Sequence, residues 1–191
     1  AALREGRTQD IVLGNYVVLE QIGVGGMGTV FKARHQHLNR VVALKVLKPE
    51  LSRSPDYVLR FQRELEVTAR LSHPNIVAAY DAGQMASGWY LAMEYVPGCD
   101  LERAVRNGGP LPVGEAVGCI VQAARALEYA HAQGITHRDV KPRNLLRDAG
   151  GNVKLSDLGL VKFDVAEAQS PGCPAGLTVT GDIAGSVEYM A

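Results

Sequence analysis

Residues 135–146 read ITHRDVKPRNLL. An imidazole, three basic side chains, a carboxylate and a carboxamide stand within these twelve positions, between apolar ends. Such a mixture fits a solvated loop, and it also fits a place where charge is moved. The flanking residues sharpen the choice. Two short runs, NLLR (144–147) and VKLS (153–156), surround the turn DAGGN (148–152), so the chain folds back as a hairpin directly after this stretch. Counting outward from the turn sets Asn144 opposite Asp157 at the open end, where facing Cβ atoms stand about 4.5–5.5 Å apart. An amide oxygen and a carboxylate at that separation are hard ligands of the kind Mg²⁺ takes, leaving room for phosphates. Two polar residues closing a hairpin satisfy the same pattern. Asp139 precedes Asn144 by five residues, placed to accept a proton from an attacking hydroxyl. Lys141, between them, offers positive charge to a transferring phosphoryl group.

Further toward the N-terminus, IGVGGMGTV (22–30) holds Gly23, Gly25 and Gly28 at GxGxxG spacing. In a dinucleotide-binding fold that spacing opens a helix. Here the strand-like TVFKA follows, so the unit is strand–turn–strand, whose glycines let backbone N–H groups approach phosphate oxygens. A glycine-rich hairpin turn without a ligand reads the same way. YVVLEQI (16–22), TVFKARH (29–35) and RVVALKVL (40–47) are predicted strands, and IVAAYDAGQ (76–84) and GWYLAMEYV (88–96) add two more. Between them Ser54-Pro55 opens a helix, the hydroxyl at its cap and the proline in its first turn. Val58, Phe61, Leu65 and Thr68/Ala69 carry the helical spacing up to SHPN (72–75). VPGCD (96–100) reads as a connector and 101–105 as a short helix. The longest helical pattern covers 112–133, with Ala116, Ile120, Ala123, Leu127 and Ala130 on its inner face and Gly134 at its C-terminal cap.

The totals narrow the function class. At 191 residues the chain fits one medium domain or two small lobes. Lys plus Arg and Asp plus Glu number 20 each, so no basic excess points to nucleic acid or an anionic membrane. No apolar run approaches the roughly 18 residues of a membrane span, and AALREGRTQD is no signal peptide. Cys99, Cys119 and Cys173 form no CxxC pair, and the five histidines form no HExxH. That speaks against a disulfide framework or a zinc site and for a reducing compartment. Cys119 falls in a helical apolar pattern and reads as packing; His35 and His37 read as surface residues.

In joint order and spacing these stretches resemble a protein kinase, specifically the bacterial eukaryotic-like (Hanks-type) serine/threonine kinases. The resemblance implies an α+β, two-lobed kinase-like fold: an N-terminal extension over 1–15, a β-rich N-lobe with one helix and the hinge over 16–96, and an incomplete helical C-lobe over 97–191. It implies ATP under the flap formed by Ile22, Gly23, Val24, Gly25, Gly26, Met27 and Gly28. Lys45 of VALK (42–45) is then the lysine on the α- and β-phosphates. Within RFQRELEVTARLSHPNIV (60–77), Glu64 is its ion-pair partner; Glu66, the fallback, points about 200° around the helix. HRDVKPRN gives Asp139 as base, Lys141 as phosphate contact and Asn144 as a ligand of Mg²⁺ or Mn²⁺. DLG stands where the family has DFG, making Asp157 the second ligand. In YLAMEYV, Met93 is the gate residue, and the main chains of Glu94 and Val96 are the adenine partners, with Val30, Ala43 and Leu146 above and below the ring. Lys141 resembles the serine/threonine branch. Arg138 implies control by phosphorylation of the activation segment, with Thr178 and Thr180 as acceptors and self-association as the route. Leu158 for Phe and Ser186 for Thr are mild departures.

The chain stops at EYMA, where the family continues with PE and a block of helices. The expectation is a fragment of the domain, with apolar surface on the 112–133 helix left uncovered. Two readings follow. One is a serine/threonine kinase acting on a protein substrate, cytoplasmic or at the cytoplasmic face of a membrane within a longer anchored chain. The other is a nucleotide-binding regulatory module without turnover. A scaffold that binds no nucleotide fits less well, since it needs none of Lys45, Glu64, Asp139, Asn144 and Asp157.

Overall fold

The computed structural model describes residues 11–26, 28–85 and 88–157, except for the side chains of Asp56, Arg60, Arg63, Glu64 and Val67. Six antiparallel strands form the front: β1 (Val12–Leu13), β2 (Tyr16–Val24), β3 (Gly28–His35), β4 (Val41–Leu47), β5 (Ala79–Met85) and β6 (Gly88–Glu94), ordered β1-β2-β3-β4-β6-β5. Residues 12 and 13, read as part of an extension, are thus a strand paired with β2. Alternation explains the two-sided burial of β4. Val42, Leu44 and Val46 join Val18, Phe31, Ala33 and Ala92 in one cluster. Leu47 packs on the opposite side with Leu91 and with Phe61 of α1 (Pro55–Arg70). Ser54 occupies the cap of α1 but makes no side-chain hydrogen bond there, so Pro55, with its fixed φ, supplies the start signal.

The sheet curls on itself. Tyr16 of β2 donates its phenol to Asp81 of β5 (2.8 Å), and Tyr90 of β6 donates to the same carboxylate oxygen (2.9 Å). Tyr16 is 2 % exposed, and the His35 ring stands edge-on to it at 5.0 Å, so His35 is half-buried rather than a bare surface residue. Burial first, and the Asp81 carboxylate second, push the Tyr90 phenol up to about 12 and the Tyr16 phenol higher still. Both stay protonated donors.

The rear holds β7 (Gly98–Asp100), β8 (Leu145–Asp148) and β9 (Val153–Leu155) in one small sheet, with α2 (Leu101–Gly108) and α3 (Val113–Ala132). Residues 98–100, read from sequence as a connector, are a strand pairing Asp100 with Leu146. At Gly98 a Cβ would run into the Arg147 carbonyl, so this strand's close approach requires glycine. α2 starts where the sequence reading put it, capped by the Asp100 carboxylate, which accepts from the Arg103 N–H at 2.8 Å. It runs a turn further, to Gly109 at φ 79°, whose N–H donates to Val105 O. The inner seam of α3 also differs from expectation. Cys119, Ala123, Ala126 and Ala130 are buried, Ala116 is half-buried and Ile120 is 61 % exposed. Small side chains let the helix lie close against β9 and the residues following α1, and that closeness outweighs the bulk of Ile120. Gly134, at φ 73°, turns the chain out of α3 as expected.

Residues 71–77 run from α1 to β5 yet bond to the rear. Leu155 N–H donates to Asn75 O (2.8 Å) and Val77 N–H to Leu155 O (3.0 Å). The Asn75 amide donates to Gln122 of α3 (3.0 Å) and to Val153 O (2.9 Å), while Gln122 Oε1 also accepts from Val153 N–H (2.8 Å). His73 stacks on Tyr129 of α3. Leu71 and Ile76 lie in the rear core with Leu145 and Leu155.

Candidate active site

Asp139 is 5 % exposed and Asn144 3 %. The 3-10 turn Pro142–Asn144 folds the loop back, so that the Asn144 amide donates to the Asp139 carbonyl (2.8 Å) and carboxylate (3.1 Å). Lys141 Nζ lies 2.7 Å from the same carboxylate oxygen. A carboxylate this buried is tolerable only when so partnered. His137, 1 % exposed, completes the set. Its Nδ1 accepts from Asp139 N–H (3.2 Å), which leaves Nε2–H to donate to Ser156 O (3.0 Å). Burial holds the imidazole below its ordinary pKa, and the Ser156 carbonyl and the Asp139 and Asp157 charges only partly offset this. Sequence reasoning gave His137 no role; its place directly before the Arg138-Asp139 pair was the signal.

The hairpin register pairs Leu145 with Leu155, Leu146 with Lys154 and Arg147 with Val153. Ser156, not Asp157, therefore faces Asn144, and both its N–H (2.9 Å) and its hydroxyl (3.2 Å) donate to Asn144 O. Sequence counting fixes a register only to within one residue. Here the turn selects it, through the Asp148 carboxylate accepting from Asn152 N–H and from the Asn152 amide (2.8 Å each). Asp157 stands one step on, at φ 57°, a left-handed conformation that aspartate tolerates. Its carboxylate meets Lys45 Nζ at 3.2 Å.

Lys45 projects from β4, opposite Val30 on β3 and Leu91 on β6. Ala43, two residues back on the same face, pairs with Met93. Val30 and Leu146 are half-buried and Ala43 buried. At the end of β6, Glu94 donates its N–H to the Ala78 carbonyl, and its carboxylate accepts from the Ala78 N–H and lies 3.0 Å from Lys154 Nζ. The glycines of the flap divide into two kinds. A Cβ at Gly28 would strike the Val46 carbonyl, so packing demands glycine there. At Gly26 a Cβ meets nothing within 4 Å, at Gly25 only Gly28 O at 3.8 Å, and neither residue sits at positive φ. Among the described residues nothing excludes side chains at those two positions; a group lying against the flap would. Glu64 falls on α1 with its side chain outside the described residues, and Met27, Leu158, Thr178, Thr180 and Ser186 lie outside them altogether.

The curled sheet with one helix, the rear hairpin and the loop before it make the fold that of a two-lobed kinase. The family model described as "Protein kinase domain" matches residues 16–191, and the chain belongs to that family. Among its relatives, the serine/threonine-protein kinase PknJ of Mycobacterium tuberculosis is 44 % identical over 184 residues, covering 94 % of this chain and 30 % of that protein. The serine/threonine-protein kinase PrkC of Bacillus subtilis is 38 % identical over 180 residues, covering 94 % of this chain and 26 % of that one. The crystal structure of the Mycobacterium tuberculosis PknI kinase domain superposes with a TM-score of 0.68 at 37 % identity, over 80 % of this chain and 63 % of that one. The chain thus spans less than a third of the length of these curated relatives.

Proposed function

We propose that the chain carries the nucleotide-binding and catalytic-loop portion of an ATP-dependent protein serine/threonine kinase. The observation that carries this reading is the clamped Asp139–Lys141–Asn144 group together with the Lys45–Asp157 pair. Asp139 orients a substrate Ser or Thr hydroxyl and accepts its proton, while Lys141 offsets charge on the transferred group. Lys45, steadied by Glu64, binds the α- and β-phosphates, and Ile22 to Gly28 cover them. Val30, Ala43 and Leu146 enclose the adenine, with Met93 as gate and the main chains of Glu94 and Val96 as its partners.

A divalent cation, Mg²⁺ or Mn²⁺, would supply neutralisation of phosphate charge. Asn144 and Asp157 would hold it. The Asn144 amide N–H₂ is taken by Asp139, which leaves Oδ1, an acceptor, for a cation. Among the described residues no three His, Cys, Asp or Glu side chains converge as a metal cluster.

On this reading the lobes divide near residue 97, Arg138 and Thr178 or Thr180 serve activation by phosphorylation between two copies, and the reaction runs in the cytoplasm or at the membrane's cytoplasmic face. Among the described residues no helix is long and apolar enough to cross a membrane. The test is calorimetry of Mg²⁺-dependent ATP binding to this chain, with Asp157→Ala as control. Binding that weakens in the control is expected. A folded sample that binds no Mg·ATP overturns the reading.

A further inference from the structure

We infer that Lys154 is a positioning residue, whose ion pair with Glu94 sets the spacing between the strand that meets adenine and the strand that leads to Asp157. The inference rests on the nucleotide-site reading above. Lys154 is the middle residue of β9, between Val153 and Leu155, each 0 % exposed. Its backbone is in register with Leu146, the floor of the proposed adenine site, and its side chain reaches out of the rear sheet to Glu94 Oε2 at 3.0 Å.

Glu94 is itself fixed. It closes β6 opposite Val42, donates its N–H to Ala78 O at 2.8 Å and accepts from Ala78 N–H at 3.3 Å. Only two residues, Leu155 and Ser156, separate Lys154 from Asp157. One side chain therefore ties the front strand, through a fixed carboxylate, to the strand whose continuation offers a carboxylate to the cation. The side chains are 20 % and 25 % exposed, so the pair is partly shielded from water and its attraction is steeper with distance than that of a surface pair.

Partly buried ion pairs contribute more to geometry than to net stability, since apolar residues of like volume fold as well or better. An apolar residue would pack between these strands but would not fix their separation. Asp139 takes its position from Lys141, Asn144 and His137, none of which touches this pair in the contacts described above. Losing the pair should thus weaken nucleotide binding while sparing the catalytic loop.

The experiment is Mg·ATP calorimetry on the parent chain, Asp157→Ala, Lys154→Glu, Glu94→Lys, the Lys154→Glu/Glu94→Lys double reversal, and Lys154→Met, which keeps the apolar stem. Both single reversals should bind about tenfold more weakly, and the double reversal should return to within about threefold of the parent, because Glu94 meets adenine through its main chain. Lys154→Met should bind several-fold more weakly with an unchanged melting temperature. In a chain that turns over, Lys154→Met should raise KM for ATP and leave kcat unchanged, a split that loss of folded protein does not produce. If parent binding depends on Asp157 but Lys154→Met binds like the parent, or a folded double reversal stays weak, the inference is wrong and the site reading stands. If parent binding is absent or indifferent to Asp157→Ala, the site reading fails and the inference with it.

Discussion

Lys141 meets Asp139 from two residues away in the chain, at 2.7 Å, with the carboxylate side chain 4 % exposed; Lys45 meets Asp157 from 112 residues away, at 3.2 Å, with its carboxylate 49 % exposed. Both are lysine–carboxylate pairs beside the same proposed nucleotide. The first is built by one tight loop, braced by Asn144 and His137, and its geometry comes with the loop. The second exists only when the front sheet and the rear hairpin are docked. A buried pair resists separation strongly, because removing one partner strands a charge at a cost of about 3–5 kcal/mol. A half-exposed pair contributes roughly 0–1 kcal/mol. Chemistry is assigned to the rigid pair and nucleotide capture to the loose one.

The sharpest way to break this comparison is Asp139→Asn. Turnover by a chain containing the whole kinase domain should fall by about 10³-fold, while calorimetry shows ATP affinity unchanged. A loss of affinity equal to the loss of rate would remove the distinction between the pairs. Lys45→Met should do the reverse, weakening Mg·ATP binding by about thirtyfold and shifting stability by no more than about 1 kcal/mol in urea titration, as for a half-exposed pair.

The flap offers a smaller contrast. Gly28→Ala should destabilise the fold by about 1–3 kcal/mol through its clash with the Val46 carbonyl. Gly26→Ala, facing open space, should leave the melting temperature unchanged and weaken ATP binding alone. Equal melting shifts for the two would contradict the division of the glycines.

The smallest effect is the pH dependence contributed by His137. Its pKa in the fold is lowered from 6.5, chiefly by burial. The unfolded chain therefore binds the proton more readily, and the stability this group contributes is complete above pH 6.5 and is lost as the pH falls from there toward the lowered value. Urea midpoints measured between pH 7.5 and 5.5 should decline, and the decline should shrink in His137→Gln.

The two pairs were also unequally readable. Asp139, Lys141 and Asn144 lie within six positions, so a local motif brings them together whatever the rest of the chain does. The front strands are legible from their short apolar, β-branched and aromatic runs between turn residues. Lys45 enters only through the resemblance, which pairs it with Glu64; its contact with Asp157 was not legible, since no local rule links residues so far apart. Local patterns also failed where neighbours decide. The one-residue register of the hairpin depends on Asp148 and Asn152 closing the turn. The seam of α3 falls on alanines because β9 comes close, and Gly98 becomes a strand residue only because β8 lies beside it. Glu64 belongs to a helix the pattern foretold, yet its pairing with Lys45 rests on the family alone.

Residues 71–77 give the molecule a mechanical property. By their bonds to Leu155, Val153 and Gln122 they belong to the rear, although they lead into the front sheet. Among the described residues the backbone thus crosses between the two halves three times, near 70–71, near 77–79 and near 94–98. Three passes of one chain act as stitches along a seam, resisting any slide of one half past the other. The gap between Lys45 and Asp157 is the natural gauge of how far that seam opens.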